Sequence, residues 1–216
     1  GAKLHICHCS TKGTVELMRM AKRLGADVTA EVCPHHFTLT DADITEANSN
    51  YKMNPPLRKE EDVKALIEGL IDGTMPCIST DHAPHLLSEK QGGALKAMSG
   101  MPTIQFSLNC MLELVDKGLI SIEALVQKMC HNPALLYHIE QRGFIRPGYQ
   151  ADLVLARPNS PFTVTNELLQ SKCGWSPLEG HQFNWQVERT LVNGRSVFAN
   201  GKVMEEEIKG KELKFK

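Results

Sequence analysis

The chain has 216 residues, 24 of them basic and 25 acidic, for a formal net charge of −1. With no long run of either sign, it offers no electrostatic basis for binding nucleic acid or an acidic membrane surface. No apolar stretch approaches a membrane span, and the first residues lack the charged-then-apolar pattern of a signal sequence.

Residues 3–9 read as a strand, and roughly 13–24 as a helix closed near Gly25. Residues 28–33 form a second strand, followed by a long loop containing proline and asparagine that runs through Leu57. Within 60–71, Val63, Leu66, Ile67, Leu70 and Ile71 share one helical face, and Gly73 supplies the C-cap. Residues 76–80 are a third strand. The β-α-β-α-β order, with connections long enough for helices, predicts parallel strands. Helices follow near 103–117 and 121–131, with a further turn after Asn132-Pro133. The character changes after Gly143. Residues 148–156 are a turn feeding a strand, 189–192 are another strand, and Asn193-Gly194 marks a hairpin before 196–199. The expected organisation is an α/β body over residues 1–142 and a smaller β unit over 143–216.

Six histidines, His5, His8, His35, His36, His82 and His85, fall in the first 85 residues. Strand alternation puts His8 on the face of Leu4 and Ile6, opposite His5 and Cys7. In a barrel that face points inward, and active sites form at the C-terminal strand ends, where His8 sits. The ordinary alternative is a hydrogen-bonded structural histidine. Asp81, at the end of the third strand, can bind a divalent metal and carry a proton, or simply cap the next turn. Adjacent histidines on an extended chain diverge, so His35 and His36 are expected to support a loop rather than share an ion. Asn54 precedes two prolines that stiffen its loop, and its amide can read a polar substrate or stabilise a turn. Arg58 can meet a carboxylate, although most such arginines are solvated or paired on the surface. His131, His138 and His181 have no constellation around them and read as structural. The seven cysteines are scattered singly apart from Cys7 and Cys9, which fits reduced thiols in a cytoplasmic protein. Cys7 is a thiolate candidate beside His8, but strand alternation points it away.

Four segments carry a resemblance: residues 5–11, Cys33-Pro34-His35-His36, Lys52 to Arg58 with its Asn-Pro-Pro-Leu-Arg run, and Asp81-His82-Ala83-Pro84-His85. Ser99-Gly100-Met101-Pro102, His131-Asn132-Pro133-Ala134, residues 148–154 and Ser176 to Gly180 extend it. Together, over about residues 3–204, they resemble dihydroorotase of the amidohydrolase superfamily. The resemblance implies an α/β fold, the C-terminal part of a TIM-like (β/α)8 metal-dependent hydrolase barrel, followed by a small β-sandwich. His8 then resembles the metal-binding histidine after the sixth barrel strand. Asp81 resembles the aspartate after the eighth, a metal ligand and the catalytic proton carrier. Asn54 and His85 resemble substrate-binding residues, and Gly100 lies in the loop that lines the substrate pocket.

The family's first-strand His-x-His pair, the substrate arginine beside it, the fourth-strand bridging carboxylate and the fifth-strand histidine have no counterpart in the chain. The resemblance therefore implies a piece of a longer enzyme. Its two zinc ions take most of their ligands elsewhere, and the 216 residues alone are expected to be inactive. The substrate would be the small-molecule pair dihydroorotate and N-carbamoyl-L-aspartate. Unpaired strand edges leave room for a domain swap or a homodimer. The competing expectations are a cyclic amidase of the dihydropyrimidinase or hydantoinase kind, and a non-catalytic assembly subunit.

Overall fold

The computed structural model describes residues 1–45, 49–204 and 210–216. Residues 46–48 of the predicted loop and 205–209 of the C-terminal unit lie outside them.

The first unit is β1 (Leu4–Ile6), α1 (Lys12–Arg23) and β2 (Val28–Val32). The Thr11 hydroxyl accepts from the Thr14 backbone N–H at 3.1 Å, capping α1, and Gly25 releases the chain at φ 74°. Where the loop was expected, Pro34 opens a short α2 (Pro34–Thr38), a position at which its missing N–H costs nothing. Helix α3 (Glu60–Ile71) then leads into β3 (Cys77–Ile78). The three strands are parallel in the order β1-β2-β3, with Leu4 opposite Val28 and Glu31 opposite Cys77. Among the described residues this sheet does not close on itself.

Strands β1 and β3 are shorter than predicted. His8 and Asp81 lie in the left-handed region, at φ 54° and 43°, where a strand cannot continue. One face of the sheet packs Ile6, Val28, Ala30 and Val32 against Val15 and Met18 of α1 and Leu66 and Leu70 of α3. Burial of these apolar side chains is the main stabilising term for the unit.

Past β3 the chain runs through irregular backbone to α4 (Gly93–Lys96), then α5 (Ser107–Asp116), α6 (Ile122–Val126) and α7 (Asn132–Leu136). Helix α5 starts later than predicted because the backbone N–H groups of Thr103 and Ile104 bond to His82 Nδ1 instead. The helix expected over 121–131 widens into a π turn at Gln127–His131.

The C-terminal strands are β4 (Leu153–Arg157), β5 (Phe162–Thr163), β6 (Gln182–Phe183), β7 (Gln186–Val192), β8 (Arg195–Ala199) and β9 (Lys202–Val203). Four of them form an antiparallel sheet in the order β4-β7-β8-β9, and β5 pairs with β6. Asn193 and Gly194, at φ 51° and 79°, make the predicted two-residue turn between β7 and β8. Phe162 and Phe183 lie on Phe106, with ring centroids 6.3 and 5.9 Å away, so the β5–β6 ribbon joins the core beneath α5.

Candidate metal and substrate site

The ends of β1, β2 and β3 place His8, Glu31 and Asp81 together. His8 Nδ1 lies 3.0 Å from Glu31 Oε1, and Nε2 lies 3.7 Å from Asp81 Oδ1. The other Glu31 oxygen is 3.1 Å from His5 Nε2, whose ring is held at Nδ1 by Thr29 Oγ1 at 2.8 Å. The face assignment made from alternation is thus corrected. The side of the sheet carrying Ile6 turns to the helices, while His5, Thr29 and Glu31 occupy the opposite side. His8 reaches this second side because β1 has ended and its left-handed backbone redirects the side chain. Glu31 was missed as a site residue, although a carboxylate two positions before the end of an otherwise apolar strand was the available signal.

Behind His8 lies a second polar cluster. Cys33 Sγ is 3.4 Å from His8 Nδ1 and 3.2 Å from Ser79 Oγ. Burial, first, pushes the Cys33 thiol up to about 12, with Glu31 and Asp81 adding to the rise. The donor atoms of Cys33, His35 and His36 lie within 4.8 Å of one another. His36 Nε2 donates to the Pro55 carbonyl at 3.0 Å, the loop-supporting role expected of it. His35 has no hydrogen-bond partner on either ring nitrogen, and His36 none on Nδ1, among the described residues. Burial holds both imidazoles below their ordinary pKa, His35 well below, so they are neutral lone-pair donors.

The substrate candidates sit on the loops beyond. Asn54 is exposed and precedes a cis peptide bond to Pro55. His85 Nε2 donates to the Ser99 carbonyl at 3.1 Å. Gly100 is buried at φ 135°, and a β-carbon there would stand 2.7 Å from both Cβ and O of Ala83 and 3.2 Å from the His85 ring. Its N–H bonds to the Lys52 carbonyl at 3.0 Å, so the loop of Asn54 and the loop of Gly100 are directly joined. His82 turns away from this group to accept from the Thr103 and Ile104 amides, and burial lowers its pKa. A cleft of about 210 Å³ borders His82, Gln105 and Trp175 but reaches none of His8, Asp81, Asn54 or His85. His131 stacks on Phe144 at 4.3 Å and His181 bonds to Glu113 at 2.8 Å, away from these groups.

The donor chemistry fits a divalent metal. With Glu31 accepting from Nδ1–H, His8 presents the Nε2 lone pair toward Asp81, the arrangement in which a carboxylate orients a ligating imidazole. Zinc bonds of about 2.0–2.2 Å to nitrogen and carboxylate oxygen accommodate donors at such a spacing.

Residues 2–197 match the family model described as "Amidohydrolase family". A curated dihydroorotase of Clostridioides difficile (strain 630) is 45% identical over 199 residues, covering 92% of this chain and 47% of the relative. That of Endomicrobium trichonymphae is 43% identical over 196 residues, covering 90% and 46%. Among solved structures, L-hydantoinase (dihydropyrimidinase) from Arthrobacter aurescens superposes with a TM-score of 0.88 at 32% identity, covering 94% of this chain and 46% of that one. Dihydropyrimidinase from Brevibacillus agri NCHU1002 gives 0.89 at 27% identity, with the same coverage. The chain spans about half the length of the curated relatives it matches.

Proposed function

This chain belongs to the amidohydrolase family, and from that premise we propose that it is the C-terminal portion of a zinc-dependent dihydroorotase. The parent enzyme would interconvert dihydroorotate and N-carbamoyl-L-aspartate. The observation that carries this reading is the meeting of His8 and Asp81, 3.7 Å apart at the ends of two parallel strands, in a chain that resembles dihydroorotases along most of its length.

His8 and Asp81 would help to hold zinc, which when bound would supply Lewis acidity toward the substrate carbonyl and lower the pKa of water. The protein's own groups do the rest. Glu31 fixes the His8 ring through Nδ1. Asp81 takes up the proton released as water adds to the ring amide and returns it to the departing ring nitrogen. In the opposite direction the same carboxylate serves ring closure, the direction that de novo pyrimidine biosynthesis requires. Asn54 and His85 hold the polar edges of the substrate and act by positioning. Gly100 lets the pocket loop pass close to Ala83 and His85, where any side chain would collide.

In this reading residues 1–142 are the last strand–helix units of a (β/α)8 barrel and the antiparallel sheet of 143–216 belongs to a β-sandwich beside it, with the β5–β6 ribbon packed onto the barrel core. Two zinc ions would take their remaining ligands from elsewhere in a cytoplasmic parent enzyme, whose other barrel strands would pair the open edges of this sheet; a homodimer is the expected assembly. No helix among the described residues is long and apolar enough to cross a membrane.

The likeness to L-hydantoinase favours one second reading, a cyclic amidase acting on another ring. The test is to assay the full-length parent on dihydroorotate and dihydrouracil side by side, with bound zinc counted on the same sample. Turnover of dihydroorotate with about two zinc ions per chain is expected. Preference for dihydrouracil would replace the proposal with the second reading.

A further inference from the structure

Lys90 has no solvent exposure at all, an unusual state for a lysine. Its partners are carbonyl groups: Nζ donates to the backbone oxygens of Lys52 at 2.8 Å, Met98 at 2.7 Å and Gly100 at 2.7 Å. These three bonds use all the protons an ammonium has. The Trp175 ring lies 5.9 Å from the nitrogen, and Trp175 Nε1 donates to the His85 carbonyl at 2.7 Å.

The three carbonyls belong to the two segments that frame the candidate substrate residues. Lys52 lies two positions before Asn54, and its oxygen also accepts from the Gly100 N–H. Gly100 itself packs on Ala83 and His85. These segments have little regular secondary structure, so their buried carbonyls have no strand or helix to pair with. One cation pairs three of them at once. Burial, with the Lys52 ammonium second, draws the Lys90 pKa down to about 8, so the group remains charged at neutral pH. Taking a cation out of water is costly unless it is fully hydrogen-bonded, and here the bonds are complete.

We propose that Lys90 is a positioning residue for substrate binding, a buried ammonium that sets the spacing of the Asn54 loop, the Gly100 loop and, through Trp175, the His85 backbone. This rests on the reading of Asn54, His85 and Gly100 as substrate contacts. Lys90 touches neither substrate nor metal. Its effect is expected in KM rather than in kcat or metal content.

The test uses the full-length parent enzyme, comparing wild type with Lys90→Met and Trp175→Phe at a temperature where each is folded. Lys90→Met keeps most of the side chain's apolar stem, and leaves the Met98 and Gly100 carbonyls without this donor and the Lys52 carbonyl with only the Gly100 N–H; a KM for dihydroorotate raised about tenfold is expected, with kcat within threefold and zinc per chain unchanged. Trp175→Phe keeps an aromatic ring but removes the bond to the His85 carbonyl together with part of the buried ring system, and raises KM by a smaller factor in the same direction. A folded Lys90→Met enzyme with KM within twofold of wild type overturns the proposal while the dihydroorotase reading stands. Where Lys90→Met does not fold, an unchanged KM in Trp175→Phe overturns it equally. A wild-type parent that does not turn over dihydroorotate removes the reading itself, and the proposal falls with it.

Discussion

Glu31 Oε1 lies 3.0 Å from Nδ1 of His8, and this contact decides which His8 nitrogen is available for other work. With Nδ1 occupied, Nε2 is the donor that faces Asp81. The carboxylate is 8% exposed, so little solvent competes for it. Glu31→Gln is therefore expected to weaken zinc binding by about 10–100-fold. Cys7→Ser should leave it unchanged, because Cys7 is exposed and Glu31 is the group that holds His8 Nδ1. Competition of each variant against a coloured chelator checks both. Equal loss in the two would point to the group of His5, Cys7 and Glu31, whose donor atoms also lie within 4.8 Å of one another.

Asp81→Asn in the parent enzyme keeps the size of the side chain and removes its capacity to carry a proton. A fall in kcat by a factor of about 10²–10⁴ is expected. The KM for dihydroorotate should move far less than kcat. Steady-state kinetics in both directions, with zinc measured in parallel, separate loss of proton transfer from loss of metal.

Gly100→Ala combines a steric clash with an unfavourable backbone. The new methyl would meet the Ala83 carbonyl at 2.7 Å, and φ 135° is a region that side chains rarely occupy. Unfolding free energy should drop by roughly 2 kcal/mol or more, as for other residues forced into forbidden backbone space. Urea denaturation of the chain checks this. Gly73→Ala is a useful control, since its added methyl meets nothing within 4 Å at a comparable positive φ of 79°.

Cys110 provides a pH prediction away from the site. Burial raises its folded pKa to about 12 from 9.0, so the folded chain holds the proton that the unfolded chain gives up. The associated stability is complete below pH 9 and is lost as pH rises toward 12. By pH 10 the loss from this thiol is on the order of 1 kcal/mol. Urea midpoints at pH 8 and pH 10 should differ in wild type, and by less in Cys110→Ala, whatever the substitution costs at both pH values.

Much of the organisation was legible from particular residues. The apolar spacing in 60–71 with Gly73 behind it, the Asn193-Gly194 turn and the parallel order of the first three strands all appear in the structure. They follow from local chemistry, which a sequence carries openly. The strand ends were not legible, because φ at His8 and Asp81 depends on neighbouring segments rather than on alternation. That error propagated to the sheet faces, hiding Glu31 and putting His5 on the wrong side. The two-residue strands at 162–163, 182–183 and 202–203 are too short to show a period. Lys90 carries no signal in the sequence, since its partners are backbone carbonyls whose convergence only the fold reveals.

In the proposed reading, the left-handed backbone at His8 and Asp81 leaves a small difference between what the fold prefers and what the reaction requires at two points. Histidine and aspartate tolerate this region better than most residues, and asparagine and glycine enter it at still lower cost. A library of this chain selected for folding alone, without any demand for activity, should therefore drift at positions 8 and 81 toward those residues. The imidazole and the carboxylate persist where selection on chemistry outweighs selection on stability.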